Sequence, residues 1–89
     1  MLSITDLLDF IDLDRDTVLI VAEATGLPPE PAIILARELL ASRRGILTLH
    51  HMFRDERARA DERGHVLRVR DLDRAYRHFA RKYPQPVVV

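Results

Sequence analysis

Cysteine is absent from the 89-residue sequence, and glycine occurs only three times. Without thiols the chain has neither a disulfide framework nor a thiolate metal site. The three glycines are too widely spaced to form a phosphate-binding loop, and no nucleophile elbow or pair of pocket carboxylates is recognisable from spacing. The sequence therefore predicts a protein that is not an enzyme and that carries no cofactor.

Long apolar runs are also missing. The two longest, residues 18–22 and 32–36, have five residues each, whereas a membrane-spanning helix needs roughly 20. The segment "MLSITDLLDF" at residues 1–10 contains acids where a secretion signal needs a basic start. These features predict a cytoplasmic protein that does not enter a membrane.

The composition is that of an ordinary folded domain, with 47% apolar and 31% charged residues. A chain of this length holds one modest core and leaves much of its surface in water, so a partner chain would help to cover it. We expect one domain over residues 1–84, followed by an extended tail over residues 85–89.

The net charge is zero, but the charges are divided along the chain. Residues 1–42 hold eight acidic against two basic residues, a net charge of −6, and residues 43–89 hold twelve basic against six acidic residues, a net charge of +6. Halves of opposite sign attract each other within one chain or between two chains. The division favours self-association, although two separately solvated halves would show the same pattern.

Caps and helix breakers divide the chain into about five predicted helices. Ser3 and Asp6 resemble a capping box. Asp14 and Ser42 are suited to cap later helices, and Gly26 is suited to end one. The prolines of "LPPEP" favour the first turn of a helix. The predicted helices cover residues 4–11, 15–25, 29–41, 43–63 and 66–83.

The last two predicted helices form a self-consistent pair. At about 100° per residue, Phe53 lies on one apolar stripe of the helix 43–63, and Tyr76 lies on one apolar stripe of the helix 66–83. Reversing the chain at Gly64 brings these two residues opposite each other. The sequence therefore predicts an all-α fold that ends in a long antiparallel helical hairpin.

A small α+β fold is the alternative, because "TVLIVA" and "HVLRVR" are β-branched runs that resemble strands in isolation. Few hairpin turns connect them, and two short strands between long helical patterns make a poor sheet. The helical interpretation is the favoured one.

Three histidines between residues 50 and 65 suggest a metal site. His51, Asp55 and Glu62 fall on one line of the predicted helix, and they would hold a divalent ion only if a partner added ligands. Ordinary surface or core histidines explain the residues more simply. Metal binding by a helical protein is therefore the second alternative for function, and no metal ligand is assigned.

Arg57 is out of place within the same stretch. Most acids between residues 54 and 63 have a base three or four positions away, which is typical of a solvated helix. Arg57 instead falls on the apolar stripe, opposite Leu72 of the last helix. If this stretch binds a partner, the sequence predicts that Arg57 is the residue that does so.

The last predicted helix carries the largest unbalanced charge, since six basic residues between positions 68 and 82 face only two acids. Such a surface attracts an acidic protein or nucleic acid. The basic residues predicted to bind a partner are Arg70, Arg74, Arg77 and Arg81.

Residues 18–24 are apolar on nearly all sides, and a helix without a polar face is either central or covered by another subunit. We expect Val18, Leu19 and Ile34 to make the contacts of a homodimer. The sequence thus predicts a non-enzymatic, self-associating helical interaction module. A nucleic-acid-associated regulatory protein that uses the arginine-rich last helix is the first alternative.

Three segments carry a resemblance: "AEATGLPPEPAIILARELL", the serine-capped "SRRGILTLHHMFRDERARADERGH" and the closing "YRHFARKYP". In this order, after a short acidic helix, they resemble a group of small, uncharacterised helical proteins of proteobacteria over about residues 3–84. The shared features are caps and apolar positions. The resemblance therefore implies an all-helical bacterial protein and no particular activity or ligand.

Overall fold

The structure is a computed structural model, and it describes residues 14–87. These residues form helices and no strand, as the all-α prediction requires, and the two β-branched runs of the α+β alternative lie in the first and last helix. The described part contains four helices rather than about five, because the predicted helix 4–11 lies outside the described residues. The helices are α1 (Arg15–Thr25), α2 (Pro29–Leu40), α3 (Arg43–Glu62) and α4 (Val66–Lys82).

The helix boundaries lie within about two residues of those predicted from caps and breakers, which is the usual uncertainty of helix ends. The Ser42 hydroxyl accepts a hydrogen bond from the backbone N–H of Gly45 at 3.0 Å, as the first turn of α3 requires. Gly26 ends α1 in the left-handed conformation, with φ of 75°. Asp14 precedes α1 as predicted, but its side chain makes no capping hydrogen bond.

Helix α1 is central, since it packs against each of the other three helices. Val18, one of the residues expected to contact a second copy, lies in the core of the single chain and is 1% exposed, whereas Leu19 beside it is 42% exposed. The core lies where α1 meets its neighbours and between α3 and α4. Its buried apolar residues are Val18, Ile20, Val21, Ala32, Ile33, Ala36, Leu49, Phe53, Ala60, Leu72 and Phe79.

Aromatic rings fill the contact between α3 and α4. The ring centroids of Phe53 lie 5.0 Å from Phe79 and 5.6 Å from Tyr76, and Phe79 lies 5.5 Å from Tyr83. These separations are within the range at which aromatic pairs attract each other beyond simple burial. The cluster holds α4 against α3 over its second half, which leaves the opposite side of α4 facing solvent.

Candidate interaction surface

Four arginines form one line along the exposed side of α4. They follow each other at intervals of four, three and four residues, which places them on the same face of the helix. All four are exposed. No ion pair within residues 14–87 involves any of them. This arginine stripe consists of Arg70, Arg74, Arg77 and Arg81.

Two arginines outside the stripe have an acid partner within the chain. Arg68 pairs with Glu23 of α1, and Arg59 pairs with Glu56 one turn away on α3. The arginines of the stripe have no such partner among residues 14–87, so the stripe keeps its positive charge. A line of four guanidinium groups raises the local positive potential and attracts acidic groups.

Arg57 has its partner within the chain. Its Nε donates a hydrogen bond to Oδ1 of Asp73 at 2.6 Å, and 47% of the side chain is exposed. This hydrogen bond, together with the charge of Asp73, raises the pKa of the Arg57 guanidinium above its ordinary value. The side chain of Arg57 thus reaches Asp73, the residue that follows Leu72 on α4.

A groove of about 260 Å³ runs between α1 and α4 next to the stripe. Ile20, Phe53 and Leu72 contribute its apolar floor, and Leu19 of α1 lies at its side with 42% exposure. The charged residues that line the groove are Asp16, Arg68, Asp71 and Arg74.

Two large apolar residues at the beginning of α4 face solvent. Val66 is 67% exposed and Leu67 is 74% exposed. Leu67 precedes Asp71 and Arg74 by four and seven positions, so it lies on the side of α4 that borders the groove. The apolar positions of α4 match those of its hairpin partner α3 in the sequence, and Val66 and Leu67 are exposed outside that match.

Ile34 lies on the outer face of α2, and it is 58% exposed. Together with Arg37, Glu38 and Ala41 it lines a shallow hollow of about 340 Å³. Glu30 is exposed one turn before Ile34. The two glutamates flank the isoleucine at intervals of four residues, so this face of α2 is apolar at its centre and acidic at both ends.

His50 is fully buried and uses both ring nitrogens. Nε2 lies 2.8 Å from the backbone carbonyl oxygen of Tyr83, and Nδ1 lies 2.9 Å from the hydroxyl of Tyr76. Because a carbonyl only accepts, Nε2 carries the hydrogen, and in the neutral ring Nδ1 accepts from the tyrosine hydroxyl. His50 is therefore a structural residue that binds the end of α4 to α3.

The residues of the metal hypothesis lie on the surface of α3. His51, Asp55 and Glu62 are exposed and belong to one helix. Among residues 14–87, no three side chains of histidine, aspartate or glutamate come together in a way that could hold a metal ion.

No single helix in the described range is long and apolar enough to cross a membrane. The pair α1 and α2 meets the length and composition criterion only when taken together, and it is bent by 108° at residues 26–28.

No family model, curated protein or solved structure matches this chain.

Proposed function

We propose that this chain is a non-enzymatic helical interaction module whose arginine stripe binds an acidic protein surface, including that of a second copy. The observation that carries the proposal is the stripe itself, which presents four exposed arginines without an ion pair to any described acid. Arginines that already pair with an acid of the chain, such as Arg59 and Arg68, attract an acidic partner only weakly. An acidic surface that covered the stripe would supply the missing carboxylates.

The apolar residues beside the stripe favour a protein as the partner. Leu67 and Leu19 are exposed next to the groove between α1 and α4, where phosphate groups would leave them uncovered. Full burial of one leucine side chain contributes about 2 kcal/mol. A partner that combines acidic and apolar side chains therefore uses both properties of the surface.

The outer face of α2 is the complementary surface that we propose for self-association. Glu30, Ile34 and Glu38 present two acids around an exposed isoleucine, which suits the arginine stripe of a second copy. If each copy contributes both surfaces, two such contacts related by a two-fold axis close a homodimer. Of the residues expected to make self-contacts, Leu19 and Ile34 are exposed and Val18 is not.

We interpret α3 and α4 as the long antiparallel hairpin that the sequence predicts, and as the frame that presents the stripe. Three contacts support this interpretation: His50 with Tyr83, Phe53 with Tyr76, and Arg57 with Asp73. Higher residue numbers on α3 go with lower numbers on α4, as an antiparallel pair requires. A cytoplasmic location, and membership of the proteobacterial group that the chain resembles, belong to the same proposal.

Multi-angle light scattering over a range of protein concentrations tests self-association. We expect the mean mass to rise above that of one chain at high micromolar concentration, and to fall when salt is raised from about 0.05 M to 0.5 M, because exposed charges are then screened. A strict monomer at high micromolar concentration and low salt would contradict self-association.

Nucleic-acid binding through the same stripe is the second candidate, favoured by the exposure of all four arginines. Fluorescence anisotropy with a labelled random DNA duplex tests it. This candidate predicts binding that weakens steeply with salt and is lost in the triple variant R70E/R74E/R77E. The absence of binding at low salt would rule the candidate out.

A further inference from the structure

Leu67 of α4 and the hollow on the outer face of α2 are complementary in shape. Leu67 projects into solvent with 74% of its surface exposed, and the hollow beside Ile34 measures about 340 Å³. That volume corresponds to about eleven water molecules at ~30 Å³ each, so it has room for one leucine side chain. We propose, resting on the function proposed for the arginine stripe, that Leu67 of one copy enters this hollow of a second copy and thereby fixes how α4 lies on α2.

The residues that meet in this contact lie on one face of each helix. Leu67 precedes Arg70 and Arg74 by three and seven positions, so the three share the exposed side of α4. The hollow on α2 is lined by residues three, four and seven positions apart, which is the arrangement that receives a side chain in knobs-into-holes packing. They are Ile34, Arg37, Glu38 and the C-cap residue Ala41. Among residues 14–87, no ion pair involves a charged residue of either set, so both faces are available to a second copy.

The charges favour an α2 that runs antiparallel to α4. If Leu67 lies at the centre of the hollow, level with residues 37–38, then Arg74 lies about 10 Å further along α4 at ~1.5 Å per residue. An antiparallel α2 places Glu30 at that level, about 11 Å from the centre of the hollow by the same rise. A parallel α2 would instead leave Arg74 past the end of α2, toward the arginines at positions 43–44 of α3. Like charges repel each other there, so the antiparallel direction is the favourable one.

In the antiparallel arrangement the first two arginines of the stripe have acids within reach. Arg74 pairs with Glu30, and Arg70 lies level with Ile34, which has a glutamate one turn away on either side. The charges alone would accept many acidic surfaces, whereas the hollow accepts one apolar side chain. Leu67 is therefore the residue that makes the contact specific for a second copy.

The contact also accommodates Arg37, the base on the outer face of α2. In the antiparallel arrangement Arg37 lies level with Leu67 and one turn from Asp71, which is exposed on the same side of α4. The base that would otherwise repel the stripe therefore has an acid of α4 beside it.

Disulfide formation between copies tests the contact directly, because the chain has no cysteine of its own. L67C and A41C are introduced into separate chains, which are mixed at high micromolar concentration and low salt and then oxidised. Mass spectrometry of the cross-linked peptides measures which pairs form. We expect the disulfide between L67C and A41C to form several times faster than that between L67C and A58C, an exposed position of α3. Equal rates for the two pairs would overturn the proposal, as would a predominant disulfide between two L67C chains.

Charge exchange tests the direction of α2. Reversing one charge, in R74E or in E30R, should weaken association about threefold or more. The double variant E30R/R74E should restore most of the association, because the pair forms again with opposite signs. E38R/R74E carries the same charges and is the matched control, since Glu38 lies about 11 Å from the level of Arg74 in the antiparallel arrangement. Sedimentation equilibrium at low salt measures the association constants, and equal recovery in the two double variants would overturn the proposal.

Replacement of Leu67 by serine separates this contact from the proposed function. L67S removes the side chain that enters the hollow, so we expect the association constant to fall about tenfold or more. V66S is the matched control and should associate as the wild type does, because Val66 is similarly exposed but lies about 100° away around α4. If the stripe variant R74E/R77E lowers association while L67S and V66S have the same association constant, the proposal is overturned and the proposed function stands. Wild-type association of R74E/R77E would contradict both.

Discussion

His50 joins α3 to the end of α4 through two hydrogen bonds made inside the aromatic cluster. Its ring lies 4.9 Å from Phe79 and 5.4 Å from Tyr76, measured between centroids. Tyr83 is the residue that follows the last turn of α4, where backbone carbonyls have no N–H partner within the helix. The N–H of His50 donates to the Tyr83 carbonyl and supplies that partner. The buried ring of His50 therefore stabilises the fold most when both hydrogen bonds, to Tyr76 and to Tyr83, are formed.

Replacement of His50 by leucine keeps an apolar side chain of similar size but removes both hydrogen bonds. We expect H50L to lower the free energy of unfolding by about 1–3 kcal/mol, because the Tyr83 carbonyl loses its donor. H51L changes the adjacent, exposed histidine and should alter stability by less than about 0.5 kcal/mol. Urea unfolding followed by circular dichroism compares the two variants. Equal midpoints for H50L and H51L would contradict the structural role of His50.

Arg57 is expected to matter little for association, although the sequence singled it out. Its guanidinium already pairs with Asp73, and the raised pKa keeps it charged throughout the pH range in which the protein is studied. We expect R57Q to leave the mean mass in light scattering unchanged at each protein concentration. A drop to the monomer mass in R57Q alone would show that Arg57 belongs to the interface.

At the scale of the helices, Gly45 sets the distance between α2 and α3. A Cβ atom placed on Gly45 would lie 1.9 Å from the backbone carbonyl oxygen of Leu39, which is closer than any real contact. Gly64 has the opposite property: its surroundings are open, but its φ of 70° is unfavourable for other residues. The two glycines therefore serve the fold for different reasons.

Substitutions distinguish the lack of space at Gly45 from the left-handed backbone at Gly64. G45A should destabilise the chain by about 1–3 kcal/mol or more, because backbone atoms of α2 must move away. G64A should cost about 1–2 kcal/mol, and G64N should cost less, because asparagine tolerates the left-handed conformation. Thermal or urea unfolding measures all three variants. Wild-type stability of G45A would contradict the close approach of α2 and α3.

Most of the helix pattern was predictable from local signals. Ser42, Gly26 and the prolines before α2 act on the nearest turn of backbone, so their effect is visible in the sequence without knowledge of the fold. The role of Gly45 was not predictable in this way. A side chain has no room at Gly45 because the backbone of Leu39 in α2 lies against it. The sequence alone does not say which helices approach each other so closely.

At the scale of the whole molecule, the arginine stripe was predictable and its apolar surroundings were not. Arg70 and Arg74 follow a helical spacing that any projection of α4 reveals. The exposure of Leu67 depends on which side of α4 packs against α3, and the burial of Val18 depends on the central position of α1. Both are consequences of packing among all four helices, so a single helix projection cannot separate a central helix from one covered by another subunit.

The central claim is that the arginine stripe binds an acidic surface, and light scattering on two matched double variants tests it most directly. R74E/R77E reverses two charges of the stripe, whereas R43E/R44E reverses two exposed arginines at the beginning of α3 with the same change of net charge. The account predicts monomers for R74E/R77E and wild-type association for R43E/R44E at low salt. Association of R74E/R77E at the wild-type level would contradict it.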